Sequence, residues 1–269
     1  MKLKLFGAYL FVLAICFSSV SAQSAKKFEP YTVGETLIYE AKFSKAVLRG
    51  IAVADLSFSV ERAASSQNFL IKSEAKSKGT VANLFKYKIY QNIQSTVDDE
   101  NLSVLKTVKR DEQKERVRDS TAVFNYRNRE VTYIESDPND SARPPRIVAS
   151  TIAGDTQDLV SGIYTLRRLP LAVGKTFEIL LSDSGLVYKI PVRVTAREEI
   201  KSVLGKTLCF RVEPEIFGEK RLIEQKGSMI IWITDDARRL PIRSQINSNI
   251  GRIEVKLKSI KYNSPAPLK

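Results

Sequence analysis

Apolar and polar residues alternate along most of the chain, with the period of two that is typical of β-strands buried on one face. The pattern is clear in ADLSFSVE at 54–61, YKIPVRV at 188–194 and RIEVKLK at 252–258. SMIIWIT at 228–234 is apolar on both faces, which predicts a strand that is covered on both sides. Such segments recur about every ten residues and predict roughly ten to fourteen strands.

An open twisted sheet of that size tends to curl or split. The sequence therefore predicts a mainly β fold: one large, curved antiparallel sheet, shaped as a half-barrel or an incomplete barrel. The apolar faces of its strands would line the concave side.

One segment, GDTQDLVSGIYTLRRLP at 154–170, predicts the main helix. Its expected N-cap is Asp155 or Thr156, and two arginines fall in the last turn before Pro170, where they complement the helix dipole. The expected apolar side of the helix consists of Leu159, Ile163 and Leu166.

Two short phrases are nearly identical, VGETL at 33–37 and VGKTF at 173–177, and each leads into strands. A later strand in each half ends in an acidic pair, at 98–99 and 235–236. This pattern predicts two related β halves, and chance similarity between short turn sequences is the alternative. The turn-rich segment 136–145 would separate them, because it cannot continue a central strand. The predicted organisation is signal peptide 1–22, first β half 23–135, linker and helix 136–170, second β half 171–262 and tail 263–269.

The N-terminus has the features of a secretory signal peptide. Lys2 and Lys4 precede an apolar run, Leu5–Phe17, and small residues end at Ala22. The run is shorter than the roughly 20 residues of a spanning helix. Export with cleavage is the main prediction. The alternatives are an uncleaved anchor or lipid attachment at Cys16.

Composition narrows the possible chemistry. The 269 residues contain no histidine, which excludes Ser-His and Cys-His dyads and His-ligated zinc. If Cys16 is removed with the signal peptide, Cys209 is the one remaining thiol and no internal disulfide can form; it is expected to be a structural thiol on the face opposite Phe210. No metal or other cofactor is predicted.

The net charge of +13 is spread along the strands without a nucleic-acid-binding motif, so no nucleic acid partner is expected. An anionic membrane surface suits this charge better.

Three parts of the chain carry a resemblance to a known family. They are Gly34, Tyr39, Gly50 and Ala54 in the opening segment, Asp158, Ser161, Tyr164 and Arg167 in the helix, and the closing segment KGSMIIWITDDARRLPIRSQINSNIGRIEVKL. In these features the chain resembles the bacterial exported proteins of the domain of unknown function 3108 family, and the resemblance covers about 30 to 262. Lys45–Leu48 departs from the glycine turn that the family often has there. The resemblance implies a periplasmic, mostly β, non-enzymatic envelope protein, loosely similar to lipoprotein-carrier folds whose concave sheets hold acyl chains.

The predicted function is to bind or carry an apolar or amphipathic envelope molecule, such as a lipid, in the concave sheet. The candidate ligand-binding residues are Leu56, Phe58, Tyr164, Arg167 and Trp232. Arg167 would hold a polar head while the strands supply a dry wall. The alternative is a structural or protein-interaction role with a filled core, in which Tyr164 caps the sheet, Arg167 pairs with a strand carboxylate and Trp232 is a core residue. No protein partner is identified, and the acidic pairs are expected to lie in solvated turns.

Overall fold

The computed structural model describes residues 31–64, 66–79 and 88–263. They form fifteen strands in one sheet and a main helix, α1, at Leu159–Arg168. The strands are β1 (Glu35–Lys45), β2 (Leu48–Arg62), β3 (Phe69–Ser77), β4 (Ile89–Val97), β5 (Val104–Gln113), β6 (Arg116–Asn125), β7 (Glu130–Ser136), β8 (Arg146–Thr151), β9 (Thr156–Gln157), β10 (Thr176–Asp183), β11 (Leu186–Ser202), β12 (Gly205–Pro214), β13 (Gly227–Thr234), β14 (Pro241–Ser248) and β15 (Gly251–Tyr262). The predicted signal peptide and Cys16 lie outside the described residues.

The strand order is β8-β7-β6-β5-β4-β3-β2-β1-β15-β14-β13-β12-β11-β10-β9. Two meanders, β1–β8 and β10–β15, therefore meet where β1 pairs with β15, and only β9 is parallel to its neighbour. Within the described residues no hydrogen-bonded ladder joins β8 to β9. The predicted large, curved antiparallel sheet in the form of an incomplete barrel is confirmed.

The tip of the β10–β11 hairpin brings the two ends of the sheet close together. A Cβ atom built on Gly185 would lie 2.7 Å from Tyr133 Cβ and 2.8 Å from Val148 Cβ, so this turn packs directly against β7 and β8. Gly185 has φ +82°, a conformation that L side chains rarely adopt. The hairpin thus narrows the opening without closing the barrel.

The two VGxT phrases form the same local turn. Gly34 and Gly174 have φ 87° and 85°. Their N–H groups donate to Val60 O at 2.8 Å and to Val194 O at 2.9 Å. The segment 136–145 mainly connects β7 to β8, and β8 pairs with β7, so the first meander extends to Thr151. The division into two related halves stays a prediction.

Helix α1 begins later than the sequence predicts. Its N-cap is Asp158, not Asp155 or Thr156, because Thr156 and Gln157 extend as β9 along β10. Asp158 Oδ1 accepts from Val160 N at 3.0 Å and Ser161 N at 2.8 Å, and Ser161 Oγ accepts from Asp158 N. This capping box satisfies the free N–H groups of the first turn. No helix in the described ranges has the length and apolarity that crossing a bilayer requires.

The interior differs between the two meanders. On the β1–β8 side, strand residues and α1 residues form a closely packed cluster, in which Tyr31 stacks between Phe69 and Tyr164 of α1 at ring-centroid distances of 5.1 and 5.4 Å. On the β10–β14 side, Leu166 of α1 packs on strand residues such as Ile231 and Val212. This second side retains open space between the helix and the sheet.

Candidate ligand-binding site

An apolar cavity of ≈ 340 Å³ lies between α1 and the inner face of β10–β14. It is lined by Leu159, Gly162, Ile163, Leu166, Ile179, Leu181, Asp183, Ile190, Val192, Pro214, Ile216, Leu222, Ile223, Met229, Ile231 and Ile246. Fourteen of these sixteen residues are aliphatic, Met or Pro; the others are Gly162 and Asp183. The wall of the cavity is therefore apolar except for one carboxylate.

Strand alternation builds this wall. Ile179 and Leu181 face inward from β10, and Ile190 and Val192 face inward from β11, because residues two apart share one face of a strand. Gly162 lets the helix approach β10, since an added Cβ would lie 3.4 Å from Leu181 Cδ1. The helix and the sheet are thus held against each other beside the cavity.

Solvent reaches part of the wall. Ile163, Leu222, Met229 and Ile246 are only half-buried, although each of them lines the cavity. Leu222, like Ile216 and Ile223, belongs to the connection between β12 and β13, so this connection also borders the cavity. A ligand could therefore enter beside this connection and α1.

A smaller polar cavity of ≈ 40 Å³ adjoins the apolar one, and the two share Leu159 and Asp183 as lining residues. It is lined by Ile93, Thr107, Lys109, Ser120, Ala122, Phe124, Tyr133, Asp158, Leu159, Ser182, Asp183 and Ser184. Residues from both meanders meet here, at the start of α1. Together the two cavities have an apolar part and a polar end.

Asp158 is the most fully hydrogen-bonded carboxylate of this polar end. Besides the two backbone N–H groups of α1, it accepts from the Thr107 hydroxyl at 2.6 Å and from the Ser95 hydroxyl. Its exposed fraction is 4%. Asp158 therefore ties β4 and β5 to the start of α1 and has little capacity left for a ligand.

Tyr164 and Arg167, two of the predicted ligand-binding residues, face the filled interior instead of the apolar cavity. Arg167 donates from Nη1 to Glu35 Oε1 at 2.6 Å and from Nη2 to Glu35 Oε2 at 3.2 Å, and also to Arg238 O at 3.0 Å. Burial, followed by the Glu35 charge, raises the pKa of Tyr164 well above its ordinary value. Their placement matches the alternative in which Tyr164 caps the sheet and Arg167 pairs with a strand carboxylate.

The other three predicted residues also lie away from the apolar cavity. Phe58 packs edge-on against Tyr39, with ring centroids 5.7 Å apart, and half-buried Leu56 lies nearby in the same cluster. Trp232 is 7% exposed and its Nε1 donates to Glu198 Oε1 at 2.5 Å. Arg243 stacks over the Trp232 ring at 4.9 Å. The structure does not bring the five residues together into one site, and their ligand-binding role stays a prediction.

The cavity residues were missed although the sequence carried a signal for them. Leu159, Ile163 and Leu166, the predicted apolar side of α1, all line the cavity. Leu166 packs on the sheet and is 5% exposed. The signal in the sequence was this apolar side of the helix, which extends beyond the residue that packs on the sheet.

Other titratable groups are held in structural contacts. Asp236 accepts from Arg238 N at 3.0 Å and Arg239 N at 3.2 Å, as expected of a turn. Burial raises the pKa of Cys209 to about 12, helped by the nearby Asp236 charge, so its thiol is protonated at neutral pH. Cys209 and Phe210 are both buried, because each packs into a different cluster. Within the described ranges no cluster of three or more acidic or Cys side chains could hold a metal ion.

The fold and the cavity define a class of protein, a mainly β protein whose large sheet curls into an unclosed barrel around helix α1. The chain matches the family model DUF3108, described as a protein of unknown function, over residues 38–258. It belongs to this family, which confirms the resemblance drawn from its sequence. No curated protein matches the chain.

The solved structures that match the chain include two bacterial proteins. A β-barrel-like protein of the domain of unknown function DUF1849 from Brucella abortus has a TM-score of 0.57 at 11% identity, covering 86% of this chain and 98% of that one. A Bacteroides fragilis protein described as having a YmcC-like fold has a TM-score of 0.33 at 10% identity, covering 87% and 98%. The first similarity supports the barrel-like fold and indicates nothing about function.

Proposed function

We propose that this protein is a non-enzymatic, exported envelope protein that binds an apolar or amphipathic envelope molecule, such as a lipid. The proposal depends on one observation, the ≈ 340 Å³ apolar cavity between α1 and β10–β14. Its volume falls within the range of about 300–1,000 Å³ that is typical of small-molecule sites. Burying an alkyl chain there would contribute about 0.8 kcal/mol for each CH₂ group removed from water.

The contrast between the two meanders supports this assignment. Around Tyr31 the β1–β8 interior is closely packed, and Val60, Ile71, Val97 and Val104 are each 0% exposed. Protein interiors seldom keep large voids, because empty space sacrifices dispersion contacts. A space of this size beside well-packed residues is best explained as a binding site.

Export is the second part of the proposal. It is supported by the apolar run at Leu5–Phe17 and the small residues that end at Ala22. Cell fractionation with N-terminal sequencing of the mature protein tests it. We expect a periplasmic protein that begins at Gln23, whereas lipidation would instead leave a modified Cys16 as the first residue. Recovery of the full-length chain in the cytoplasm would contradict export.

The decisive test of binding is native mass spectrometry of protein purified from the exported fraction. We expect an adduct that is lost on denaturation, and organic extraction should identify it as an amphiphile or an apolar molecule. A mass equal to that of the bare chain in every preparation, together with failure to bind added lipid, would contradict the proposal.

A variant pair localises the ligand. Ile246→Phe enlarges a half-buried residue that lines the cavity, whereas Ile147→Phe makes the same change at a residue that is 65% exposed on β8. We expect Ile246→Phe to reduce binding of a fluorescent apolar probe about tenfold, which corresponds to about 1.4 kcal/mol. Ile147→Phe should bind like the wild type. Equal binding by both variants would place the ligand elsewhere.

Attraction to an anionic membrane surface is also proposed, on the basis of the net charge of +13. Liposome flotation tests it. We expect partition onto vesicles that contain anionic lipid, weakening as salt is raised. Equal partition onto neutral and anionic vesicles would remove this part of the proposal.

A structural or interaction role is favoured by a separate observation on the outer face. Val108, Ile134 and Ile147 are exposed, and they lie on one cross-strand row that continues through Thr121. The row ends at the edge strand β8, where a partner could dock. Sedimentation of solubilised envelopes tests this function. A large complex that dissociates in the Ile147→Lys variant would support this function. Val203→Lys is the control, because Val203 is 52% exposed in another turn, and it should leave the complex intact.

A further inference from the structure

The polar end of the binding site carries three charged groups without an ion-pair partner among the described residues, Lys109, Asp158 and Asp183, and of these Asp158 is fully engaged by hydrogen bonds. Lys109 and Asp183 both line the ≈ 40 Å³ cavity, and neither forms a salt bridge among residues 31–64, 66–79 and 88–263. Asp183 accepts a hydrogen bond from the neighbouring Ser184 hydroxyl at 3.2 Å. Both charged groups are half-buried, so each is partly removed from water.

Strand geometry directs both side chains into the site. Asp183 follows Ile179 and Leu181 at two-residue spacing on β10, which places it on the same inner face at the end of the apolar wall. Lys109 follows Thr107 in the same way on β5, and both line the polar cavity. Asp183 lines the apolar cavity as well, so the charges stand where the dry wall ends.

The other charged groups nearby are already engaged by hydrogen bonds or ion pairs and do not compete for a ligand. Asp158 is engaged by two hydroxyls and two backbone N–H groups, as described above. Arg118 pairs with Glu135 and Asp137, and Asp111 accepts from Arg116 at 3.2 Å. Lys109 and Asp183 are therefore the charges that a ligand can still use.

We propose that the site selects amphiphiles with a zwitterionic head group, whose anionic part contacts Lys109 and whose cationic part contacts Asp183. This inference depends on the proposed function, because it assigns the head group of the ligand whose tail fills the apolar cavity. A head group with one charge would leave either Lys109 or Asp183 partly desolvated and unpaired. A zwitterion would pair both groups from the mouth of the ≈ 40 Å³ cavity, because a volume that holds only about one or two water molecules cannot enclose the head group.

Four amphiphiles with alkyl chains of nearly equal length separate the effect of the head group from that of the tail. They are dodecylphosphocholine (zwitterionic), laurate (anionic), dodecyltrimethylammonium (cationic) and dodecyl maltoside (uncharged), each titrated below its micelle concentration by calorimetry at physiological ionic strength. We expect dodecylphosphocholine to bind about tenfold more tightly than each of the other three, as one charge-assisted contact would provide.

Two variants test the roles of the charges. Lys109→Met should remove the preference for dodecylphosphocholine over dodecyltrimethylammonium, because the contact with the anionic part is lost. Asp183→Asn should likewise remove the preference over laurate. The matched controls are Lys106→Met, an exposed lysine on the same strand, and Asp155→Asn, an exposed carboxylate near α1. Both controls should keep the wild-type preferences.

The outcomes distinguish this inference from the proposed function. Equal affinity for all four probes, or a preference for a singly charged or uncharged probe, would overturn the zwitterion assignment while leaving the apolar site in place. A preference that persists in Lys109→Met and Asp183→Asn would also overturn it. Failure of every probe to bind would overturn the proposed function itself.

Discussion

The Arg167 guanidinium and the Glu35 carboxylate form a bidentate salt bridge between α1 and the start of β1. The two residues are 132 positions apart in sequence. Each side chain is 2% exposed. Because the pair is nearly dry, removing one partner leaves the other buried and uncompensated. The pair fixes the end of the helix to the strand that joins the two meanders.

Single replacement of this pair should be costly. We expect Arg167→Met and Glu35→Leu each to lower the free energy of unfolding by about 3–5 kcal/mol. The double variant should lose less than the sum of the two, since neither charge is then left alone. Urea denaturation measures all three, with Arg168→Met, the exposed neighbour, as the control. Additive losses would show that the two groups do not interact in this way.

The hydrogen bonds to Asp158 predict a second effect on stability. Asp158→Ala removes the N-cap of α1 and leaves the Ser95 and Thr107 hydroxyls without their acceptor. We expect a loss of about 2–4 kcal/mol, which combines the lost cap with the Ser95 hydroxyl left unsatisfied at 0% exposure, whereas Thr107 is only half-buried. Asp155→Ala, three residues earlier and exposed, should cost at most about 0.5 kcal/mol. Equal losses in thermal denaturation would contradict Asp158 as the cap.

The hairpin tip at Gly185 provides a matched comparison with Gly205. Both glycines have φ +82°, but no atom lies within 4 Å of a Cβ built on Gly205. Gly205→Ala should therefore cost about 1–2 kcal/mol from backbone strain alone. Gly185→Ala should cost about 1–3 kcal/mol more, because its methyl group collides with Tyr133 and Val148. Identical losses would mean that the tip is free to move away from β7 and β8.

Buried phenols predict a loss of stability at alkaline pH. Burial raises the pKa of Tyr39 above its ordinary value of 10.0, and its hydroxyl donates to Pro241 O at 2.9 Å. Above pH 10 the unfolded chain releases this proton while the folded chain retains it, so the free energy of unfolding falls as pH rises.

The free energy of unfolding should fall less steeply with pH in Tyr39→Phe, because this variant has no phenol to titrate at that position. The variant should also lose about 1 kcal/mol of hydrogen bonding. Urea denaturation at several pH values between 8 and 11 measures the slope, with Tyr90→Phe as the control. An unchanged slope in Tyr39→Phe would show that Tyr39 does not contribute to it.

Local sequence patterns predicted the strands, the acidic turns and the apolar side of α1, because each depends on residues close together in the chain. They could not predict the partners of the polar side of α1. Asp158 meets Ser95 and Thr107, and Arg167 meets Glu35, only after the two meanders have curled round the helix. Arg167, which the sequence suggested as the contact for a polar head group, is engaged by Glu35 in the folded protein.

The residues that line the cavity could not be predicted from the sequence for a related reason. Whether an inward-facing apolar residue meets another side chain or an empty space depends on the distance between helix and sheet. Ile231 and Val192 line the cavity, whereas Val60 and Ile71 lie in a filled core, yet all four alternate in the same way along their strands. The alternation of apolar and polar residues indicates which face of a strand is buried, but it does not show how closely that face is packed.

The pairing of β1 with β15 has a consequence for the order of folding. Its register joins Glu35 to Tyr262, so the middle of the sheet is assembled from segments at opposite ends of the described chain. Each meander can grow hairpin by hairpin from local contacts, but the seam between them requires a very long loop to close. We expect β1 and β15 to pair last, so that the helix is enclosed by the sheet only at this late step of folding.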